Sequence, residues 1–436
     1  MNKIFTILII AFLACFLACK KTHNTPGSSS DFLKVFNVHV WSINTGSSAT
    51  TGTIATDNTG NIYFWYYDSL ANPQNRIAIV KTNLQGDVIW KVHFFFYAGS
   101  GGLNFLLPVN KNFICSGQYL YLFGNDTSNI QCLLKLNCSD GAVNSKIIFS
   151  NILPDSTTVN SIWPSKNGNI LLNCTASNVN TNTRPGLSMI TTAGTVVWNW
   201  YQLPFGNLYN SEVANSLVEL TDGSFIFGTM YSKLTDASNM NYLDTRTLKF
   251  YHLSSSGTLT RNYTLSGGSD TQSTSGISVA ENVDATKQFS LFSNPGGGYY
   301  IISTVYYNKN TFAAPFRIKL LKTDDSFRVT NTSYISLPSG NTFISSAIQK
   351  ADGNILVSVF DNSLVAKVLY KCTLYNVAPD ASSSSINDLP LSYQSIFITD
   401  INQINDGHLL FTGVLRTYAT DTDNVFLMKT DNSVHL

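Results

Sequence analysis

Carboxylates are the side chains of this sequence that could support hydrolysis, and glutamate is scarce among them. Glycoside hydrolysis uses two carboxyl groups about 5 to 10 Å apart, one as an acid and one as a base or nucleophile. Glutamate occurs only as Glu212, Glu219 and Glu281, so Glu212 or Glu219 with an aspartate such as Asp400 are the candidates for a catalytic pair. A Gly-x-Ser-x-Gly elbow, a phosphate-binding loop and a dinucleotide fingerprint are absent. The sequence therefore favours a protein that is not an enzyme. In the alternative interpretation, these residues would be catalytic.

Histidine and cysteine do not form a recognisable metal site. The six histidines lack the spacing of zinc ligands, and neither HExxH nor Cys-x-x-Cys occurs, so we predict no metal and no cofactor. Five cysteines follow the N-terminal segment, at 115, 132, 138, 174 and 372. Cys115 and Cys132 fall on strands that we expect to be neighbours. A disulfide between them and a set of buried free thiols are both consistent with the sequence.

The first nineteen residues have the layout of a secretory leader. Lys3 provides a basic start, and residues 4–18 form an uncharged apolar run that ends at Cys19. A transmembrane helix needs about 20 apolar residues, and this run is shorter. The pattern therefore favours cleavage over a permanent membrane span.

The segment from Phe16 to Cys19 resembles the lipobox of bacterial lipoproteins. The resemblance implies that Cys19 is acylated and becomes the first mature residue. Phe16 departs from the common pattern, and residues 12–15 repeat the same four letters, but Lys20 and Lys21 directly after Cys19 favour the second site. An ordinary cleaved signal peptide is the alternative. Several acyl chains, at about 0.8 kcal/mol per buried methylene, would hold the protein on a membrane.

The segment after Cys19 is polar and contains Pro26 and Gly27, as expected of a flexible tether. We therefore divide the chain into a signal peptide (1–18), a lipidated cysteine with its tether (19–31) and one folded domain (32–436). The N-terminal segment resembles those of Bacteroidetes lipoproteins, in which an acidic stretch soon after the cysteine marks export to the cell exterior. No acid precedes Asp31, so the resemblance implies a protein anchored in the outer membrane and facing the periplasm.

The composition indicates strands joined by tight turns. Aspartate far outnumbers glutamate, and serine, threonine, asparagine, glycine and tyrosine are abundant. Loss of Lys3 with the leader leaves equal numbers of basic and acidic residues. A neutral chain without a basic stripe is not expected to bind nucleic acid.

A turn followed by an apolar strand recurs seven times along the chain. The central turn residues are Gly60, Asn112, Gly168, Gly223, Gly297, Gly353 and Gly407. Their spacings are 52, 56, 55, 74, 56 and 54 residues, and each unit has room for four strands, which is the content of a propeller blade. The sequence predicts an all-β propeller, with seven blades favoured. Six or eight blades remain alternatives because of the 74-residue step.

These repeats resemble the degenerate propeller repeats of secreted and lipid-anchored Bacteroidetes proteins over roughly residues 35 to 432. The shared features are a glycine turn, an apolar strand, a strand that ends on lysine and a strand such as Gly86 to Trp90. The seventh unit stops near Asp431, while a strand-like piece begins at Phe32. We therefore predict that the N-terminal strand completes the last blade and closes the ring.

Strand order predicts which face of the propeller carries variable loops. With strands A to D running outward, the glycine turns join A to B and C to D on one face, here called the turn face. The B-to-C and D-to-A connections lie on the opposite face, here called the loop face. Binding residues commonly occupy loops on a rigid scaffold. Asp236, Tyr242, Asp244 and Tyr307 are our candidates there, although solvated loop residues and packing tyrosines explain each of them singly.

We conclude from the sequence that a lipid-anchored binding or scaffold protein is favoured. Its membrane partner is the bilayer, through the acyl chains, and its loop face would engage an envelope protein or a glycan. The alternative is a carbohydrate hydrolase or lyase with Glu212, Glu219 or Asp400 at the channel mouth. A third interpretation is a subunit of an outer-membrane assembly that uses its blade edges.

Overall fold

The computed structural model describes most of the chain beyond residue 30. The described residues are 31–40, 52–68, 76–98, 111–177, 183–202, 210–234, 243–265, 272–274, 277–279, 281–283, 289–307, 317–336, 342–361, 371–378, 380, 384–388, 395–416 and 423–434. They form strands almost throughout, with a 3-10 turn at Phe149–Asn151. Within these residues, no helix is long and apolar enough to cross a membrane.

The strands form seven four-stranded antiparallel blades of a β-propeller, as predicted. The first blade contains β2 (Ala55–Thr56), β3 (Ile62–Asp68), β4 (Arg76–Thr82) and β5 (Val88–Phe95). The second contains β7 (Phe113–Ser116), β8 (Tyr119–Asn125), β9 (Gln131–Asn137) and β10 (Val143–Ile148), with β6 (Tyr97–Ala98) also beside β8. The third contains β11 (Thr157–Pro164), β12 (Ile170–Ser177), β13 (Thr183–Ile190) and β14 (Val196–Tyr201).

The remaining blades follow the same order. The fourth contains β15 (Asn210–Glu219), β16 (Phe225–Leu234), β17 (Leu243–Leu253) and β18 (Leu259–Leu265). The fifth contains β22 (Ser290–Ser293), β23 (Tyr299–Tyr307), β24 (Arg317–Thr323) and β25 (Val329–Ser336). The sixth contains β26 (Thr342–Gln349), β27 (Ile355–Asp361), β28 (Lys371–Val377) and β29 (Ser384–Asp388). The seventh contains β30 (Ser395–Gln403), β31 (Leu409–Arg416), β32 (Asp423–Thr430) and β1 (Phe32–Val40).

The N-terminal strand closes the ring, which confirms the prediction. β1 is the fourth strand of the seventh blade and pairs antiparallel with β32, from Phe32 opposite Lys429 to Phe36 opposite Val425. Gly86 lies in the turn between β4 and β5, the third and fourth strands of the first blade; we call this turn of each blade its outer turn. Gly86 packs against Phe32 so closely that a Cβ there would come within 2.6 Å of the ring. The closure therefore joins the seventh blade to the first by packing as well as by strand pairing.

The second blade departs from the predicted phase of the repeat. Its first turn is at Gly117 rather than at Asn112, and Phe113 lies on the first strand of the blade, not on the second. Consequently β8 lies between Cys115 on β7 and Cys132 on β9. The expectation that these two cysteines occupy neighbouring strands was wrong.

The 74-residue step contains no additional blade among the residues described. Part of it forms a hairpin of β19 (Gln272–Thr274) and β20 (Ile277–Val279). A short strand, β21 (Glu281–Val283), then pairs with the loop-face end of β23. Part of the extra length therefore extends the fifth blade through β21, while the β19–β20 hairpin forms a separate two-stranded sheet.

Both faces of the middle strands of the blades are buried, as on β8 and β12, which explains why these strands are apolar without strict alternation. On β3, Tyr63 and Trp65 pack into the core between the first and second blades, with Phe113 and Leu120. Ile62, Phe64 and Tyr66 point to the opposite face and pack with Leu410, Val425 and Leu427 of the seventh blade. The core is therefore a series of layers between adjacent blades.

Candidate functional site

A polar residue recurs at one level of the innermost strands. It lies seven residues before the turn glycine in six blades, and the pairing of β7 with β8 places Asn112 at the same level in the second. The seven residues are Thr53, Asn112, Ser161, Ser216, Ser290, Ser346 and Asp400. Asp400 is the one acidic member of this set, which we call the channel ring.

Members of the channel ring join neighbouring blades. The Ser216 hydroxyl accepts a hydrogen bond from the backbone N–H of Leu291 in the next blade at 3.0 Å, and Ser346 accepts one from Ile401 at 3.2 Å. The Asp400 carboxylate accepts from the N–H of Ile54 in the first blade at 2.7 Å. Asp400 therefore makes the bond that serine makes elsewhere, and it does so where the ring closes.

A β-bulge directs these side chains. The register of β30 shifts between Ile398 and Asp400, and β15 shifts just before Ser216 in the same way. The same shift precedes Ser346 on β26 and Ser161 on β11. A bulge bends a strand and re-aims its next side chain, so the repeated shift turns the ring residue toward the adjoining blade.

Burial makes the carboxyl group of Asp400 a weaker acid than an ordinary aspartate. Desolvation raises the pKa of its carboxyl group to about 6, although Lys111 and the N–H groups of Ile54 and Ile401 favour the charged form. Asp400 thus changes charge in a pH range where exposed aspartates are already ionised. Such a group can act as a general acid or base, and it can equally serve as a structural joint.

A cavity of about 780 Å³ opens beside Asp400, bounded by the ends of the inner strands of the second to seventh blades. Gly353 and Gly407 line it, so it lies toward the turn face. Its charged lining side chains are Lys111, Lys350 and Asp400. The size is typical of sites for small ligands.

Trp163 and Lys111 supply two of the groups that a ligand in this cavity could contact. The Lys111 ammonium lies 5.8 Å from the Trp163 ring centroid, within cation–π range. Trp163 is half-buried, and its Nε1 donates to Ser161 in the channel ring at 3.3 Å. Lys350 is paired with Asp352 at 3.2 Å. The cavity therefore offers an aromatic face, one cation and a carboxyl group to a polar ligand.

Glu219 has a structural role in joining two blades. Its carboxylate accepts from the N–H of Lys166 at 2.8 Å and from the Ser165 hydroxyl at 3.0 Å, both in the third blade. Four residues before the turn glycine, Glu219 is equivalent to Gln403, whose side chain accepts from the N–H of Ala351 at 2.6 Å. An uncharged amide fills the same position, so this contact does not require an acid.

Glu212 lies on β15, opposite Tyr231. It precedes the level of the channel ring, at Ser216, by four residues, or about 13 Å of strand. Its side chain lies outside the described residues. The backbone thus places Glu212 and Asp400 at different levels of the channel, and Glu219 does not line the cavity that Asp400 lines.

The four loop-face candidates are not brought into one described site. Asp236 and Tyr242 lie outside the described residues. Asp244 lies on β17 and Tyr307 ends β23, opposite Glu281. Both therefore stand at strand ends, because β17 begins before Asp244 and β23 continues to Tyr307. Cys19 also lies outside the described residues.

Among the described residues, no group of three or more histidine, cysteine or acidic side chains is arranged to hold a metal ion. Reasoning from the sequence did not identify Lys111, Trp163 or the hydroxyl members of the channel ring. In six blades the ring residue is a polar residue seven positions before the turn glycine. Aligning the repeats on these glycines would therefore have identified it from the sequence.

The comparisons with known proteins agree on the fold alone. No protein-family model and no curated protein sequence matches this chain. The polysaccharide lyase Uly1 is similar over 88% of this chain and 91% of its own, at 11% identity and a TM-score of 0.53. A PL25 ulvan lyase matches over 88% and 96%, at 12% identity and a TM-score of 0.52.

A puromycin-hydrolyzing peptidase of Mycobacterium tuberculosis is also similar, at 10% identity and a TM-score of 0.50. The match covers 86% of this chain and 53% of the peptidase, so this chain spans about half the length of that protein. These likenesses concern the fold alone, which the seven blades define as a β-propeller. At such low identity they assign it no activity.

Proposed function

We propose that this chain is a lipid-anchored binding protein of the cell envelope that holds a glycan without covalent chemistry at the turn-face mouth of its channel. The observation that carries the proposal is the cavity beside Trp163 and Lys111. An aromatic ring can stack on the apolar face of a sugar, while a few placed polar groups fix its orientation. The proposed site lies on the turn face, whereas the sequence predicted ligand binding on the opposite, loop face.

The fixed roles of two carboxylates favour binding over catalysis. Glu219 and Asp400 both hold neighbouring blades together, at positions where glutamine and serine do the same. Neutral equivalents at these positions support a structural role for the acids. A binding site needs no acid–base pair, so the arrangement suffices for ligand retention.

The anchoring part of the proposal rests on the sequence. An acylated Cys19 would attach the chain to the outer membrane, and the polar segment after it would hold the propeller away from the bilayer. A periplasm-facing position is supported by the lack of an acid before Asp31. A protein partner in the envelope would be compatible with this placement.

A second candidate, a carbohydrate lyase or hydrolase, is favoured by one observation. The carboxyl group of Asp400 has a pKa of about 6 and lines the cavity, which suits a general acid or base. Some proteins of similar fold are polysaccharide lyases. In this candidate Asp400 would act on a glycan bound in the same place.

The experiment uses the full chain, purified in detergent with its own leader processed, on a glycan array followed by titration calorimetry with the retained glycans. We expect Trp163→Ala and Lys111→Ala each to raise Kd by roughly tenfold, or about 1.4 kcal/mol. Lys146→Ala is the matched control, since Lys146 is exposed on β10 and pairs with Asp126 at 2.8 Å. Unchanged affinity in both cavity variants would place the glycan elsewhere.

The same samples separate binding from catalysis. Retained glycans are incubated with the protein and assayed for new reducing ends and unsaturated products. An intact glycan supports the binding protein, whereas cleavage that disappears in Asp400→Asn establishes the enzyme. A pull-down from solubilised envelopes, run in parallel, would instead favour an assembly role if a stable protein partner appears and no glycan is retained.

A further inference from the structure

Two cysteines of the second blade lie in contact. Cys115 is on β7, and Cys138 directly follows β9; their sulfur atoms are 3.8 Å apart. The backbone N–H of Cys138 donates to the carbonyl of Gln118 at 2.9 Å, in the turn between β7 and β8. The end of the third strand therefore reaches back to the hairpin that carries Cys115.

This hairpin is closed differently from its six counterparts. In the other blades the first two strands are joined by a five-residue turn, in which the first N–H donates to the carbonyl of the fifth residue, as from Asp57 to Asn61. In the second blade, Gly117 and Gln118 alone connect β7 to β8. The innermost strand of this blade therefore lacks the turn that fixes the others, and the two cysteines meet beside it.

The first blade holds Cys138 in place. Its carbonyl accepts hydrogen bonds from the Lys81 ammonium at 3.0 Å and from Trp90 Nε1 at 3.2 Å. Cys138 is buried and Cys115 is partly exposed, so one thiol is anchored while the other can be reached by an oxidant. Hydrogen bonding from Cys115 lowers the pKa of Cys138, which favours the nucleophilic thiolate.

We propose that Cys115 and Cys138 form a disulfide in the exported protein. The two thiols lose two protons and two electrons. The disulfide of an oxidant in the oxidising compartment accepts these protons and electrons and is reduced to two thiols. The sulfur atoms must approach to about 2.05 Å, which requires side-chain rotation and a small shift of the turn. The bond would tie the inner strand of the second blade to the end of its third strand.

The other cysteines of the domain remain thiols. Cys132 and Cys174 are fully buried, and β8 separates Cys132 from Cys115. Cys372 is buried against the Ser358 hydroxyl at 3.1 Å. The odd number of cysteines in the domain is thus explained by one bridge and three buried thiols.

Peptide mapping of the full chain, exported with its own leader in a Gram-negative host, tests the proposal. The purified protein is denatured, alkylated without reduction and digested with trypsin. Cleavage after Lys111, Lys135 and Lys146 separates the peptide 112–135 from the peptide 136–146. We expect these peptides to be covalently joined and to separate on reduction. Recovery of the two peptides unlinked, with 112–135 alkylated at both Cys115 and Cys132 and 136–146 alkylated at Cys138, would overturn the proposal.

Two variants identify the partner, because peptide 112–135 contains both Cys115 and Cys132. Cys132→Ser should keep the crosslink, and Cys115→Ser should abolish it. The opposite pattern would assign the bond to Cys132 and overturn the proposal. A second measurement is thermal unfolding, in which reductant should lower the midpoint of the parent and leave that of Cys115→Ser unchanged. Equal behaviour of the two would also count against the bridge.

Discussion

Asp400 shares its level of the channel ring with six neutral side chains, so its charge is specific to the joint between the seventh and first blades. Among the ring members, Ser216 and Ser346 make the equivalent bond with a hydroxyl group. The acid could be picked out from the sequence because acids other than turn aspartates are few. Its structural role could not, since Ile54, its partner, is 346 residues away along the chain.

The titration of Asp400 predicts a specific dependence of stability on pH. The pKa of its carboxyl is about 6 in the fold against 3.8 for the ordinary group, so between pH 4 and 6 the folded state binds more protons than the unfolded state. The free energy of unfolding therefore falls as pH rises through this window, by about 3 kcal/mol. Denaturant titrations of Asp400→Asn, which keeps an acceptor for Ile54, should not show this loss.

Ser216→Ala is the control for the Asp400 prediction. It removes the equivalent joint in the fourth blade without removing a titrating group, so it should lower stability by a similar amount at pH 4 and at pH 6. An Asp400→Asn protein that retains the full loss between these values would assign the dependence to another group.

Glu219 provides a second test at the scale of one residue. Because Gln403 makes the same type of contact, we expect Glu219→Gln to leave stability within about 0.5 kcal/mol of the parent. Glu219→Ala, which leaves the N–H of Lys166 without its acceptor, should cost about 1 to 3 kcal/mol. Both are measured by urea unfolding. If Glu219→Gln abolished an otherwise measurable glycan-cleaving activity, the structural assignment would be wrong.

At the scale of elements, the outer turns of the blades share one conformation and differ in the residue that adopts it. The fourth turn residue has a positive φ in several blades, and it is glycine at Gly86, Gly194 and Gly257. In the fifth blade this residue is Phe327, with φ 58°. A phenylalanine there is strained, so packing must compensate for the backbone.

Phe327 compensates by stacking between two blades. Its ring lies 4.1 Å from that of Phe250 and 4.5 Å from that of Tyr299, with interplanar angles of 11° and 5°. We expect Phe327→Gly to relieve the turn and still lower stability by about 2 to 4 kcal/mol, because the loss of buried aromatic contacts exceeds the strain. Thermal or denaturant unfolding measures the difference.

Gly257 offers the matched comparison, since it holds the same turn position in the fourth blade. A Cβ there would come 2.5 Å from the Trp198 ring, so Gly257→Ala should destabilise through both strain and overlap. Stability gained by Phe327→Gly would show that the strain at this turn exceeds the contribution of the stacking. Stability left unchanged by Gly257→Ala would show that this turn position tolerates a Cβ.

The sequence predicted the turns wherever glycine stood in a five-residue loop, because glycine marks a positive φ directly. It failed at the second blade because residues 110–112 lie at the expected spacing, while the true connection, Gly117 and Gln118, is a two-residue hairpin. The cavity was less accessible still. Lys111 and Trp163 belong to different blades, and only the curvature of the ring brings them together.

At the scale of the whole molecule, closure depends on β1. Leu33 packs with the core between the sixth and seventh blades, and Phe32 and Phe36 pack with the core between the seventh and first. Without β1, the edge of β32 would be unpaired and both layers would be exposed on one side. The strand therefore links the two ends of a ring that is otherwise held at that point by the inner-strand joint at Asp400.

Deletion of residues 32–40 from the full chain should abolish cooperative unfolding or lower the thermal midpoint by more than 10 °C, because it opens two core layers and exposes a sheet edge. Deletion of residues 21–30, which precede the strand, is the control and should leave the midpoint unchanged. Calorimetry and limited proteolysis report the two outcomes. If the ring unfolded at the same temperature without β1, the inner-strand joints would be sufficient for closure, and Asp400→Ser would then be the variant to combine with the deletion.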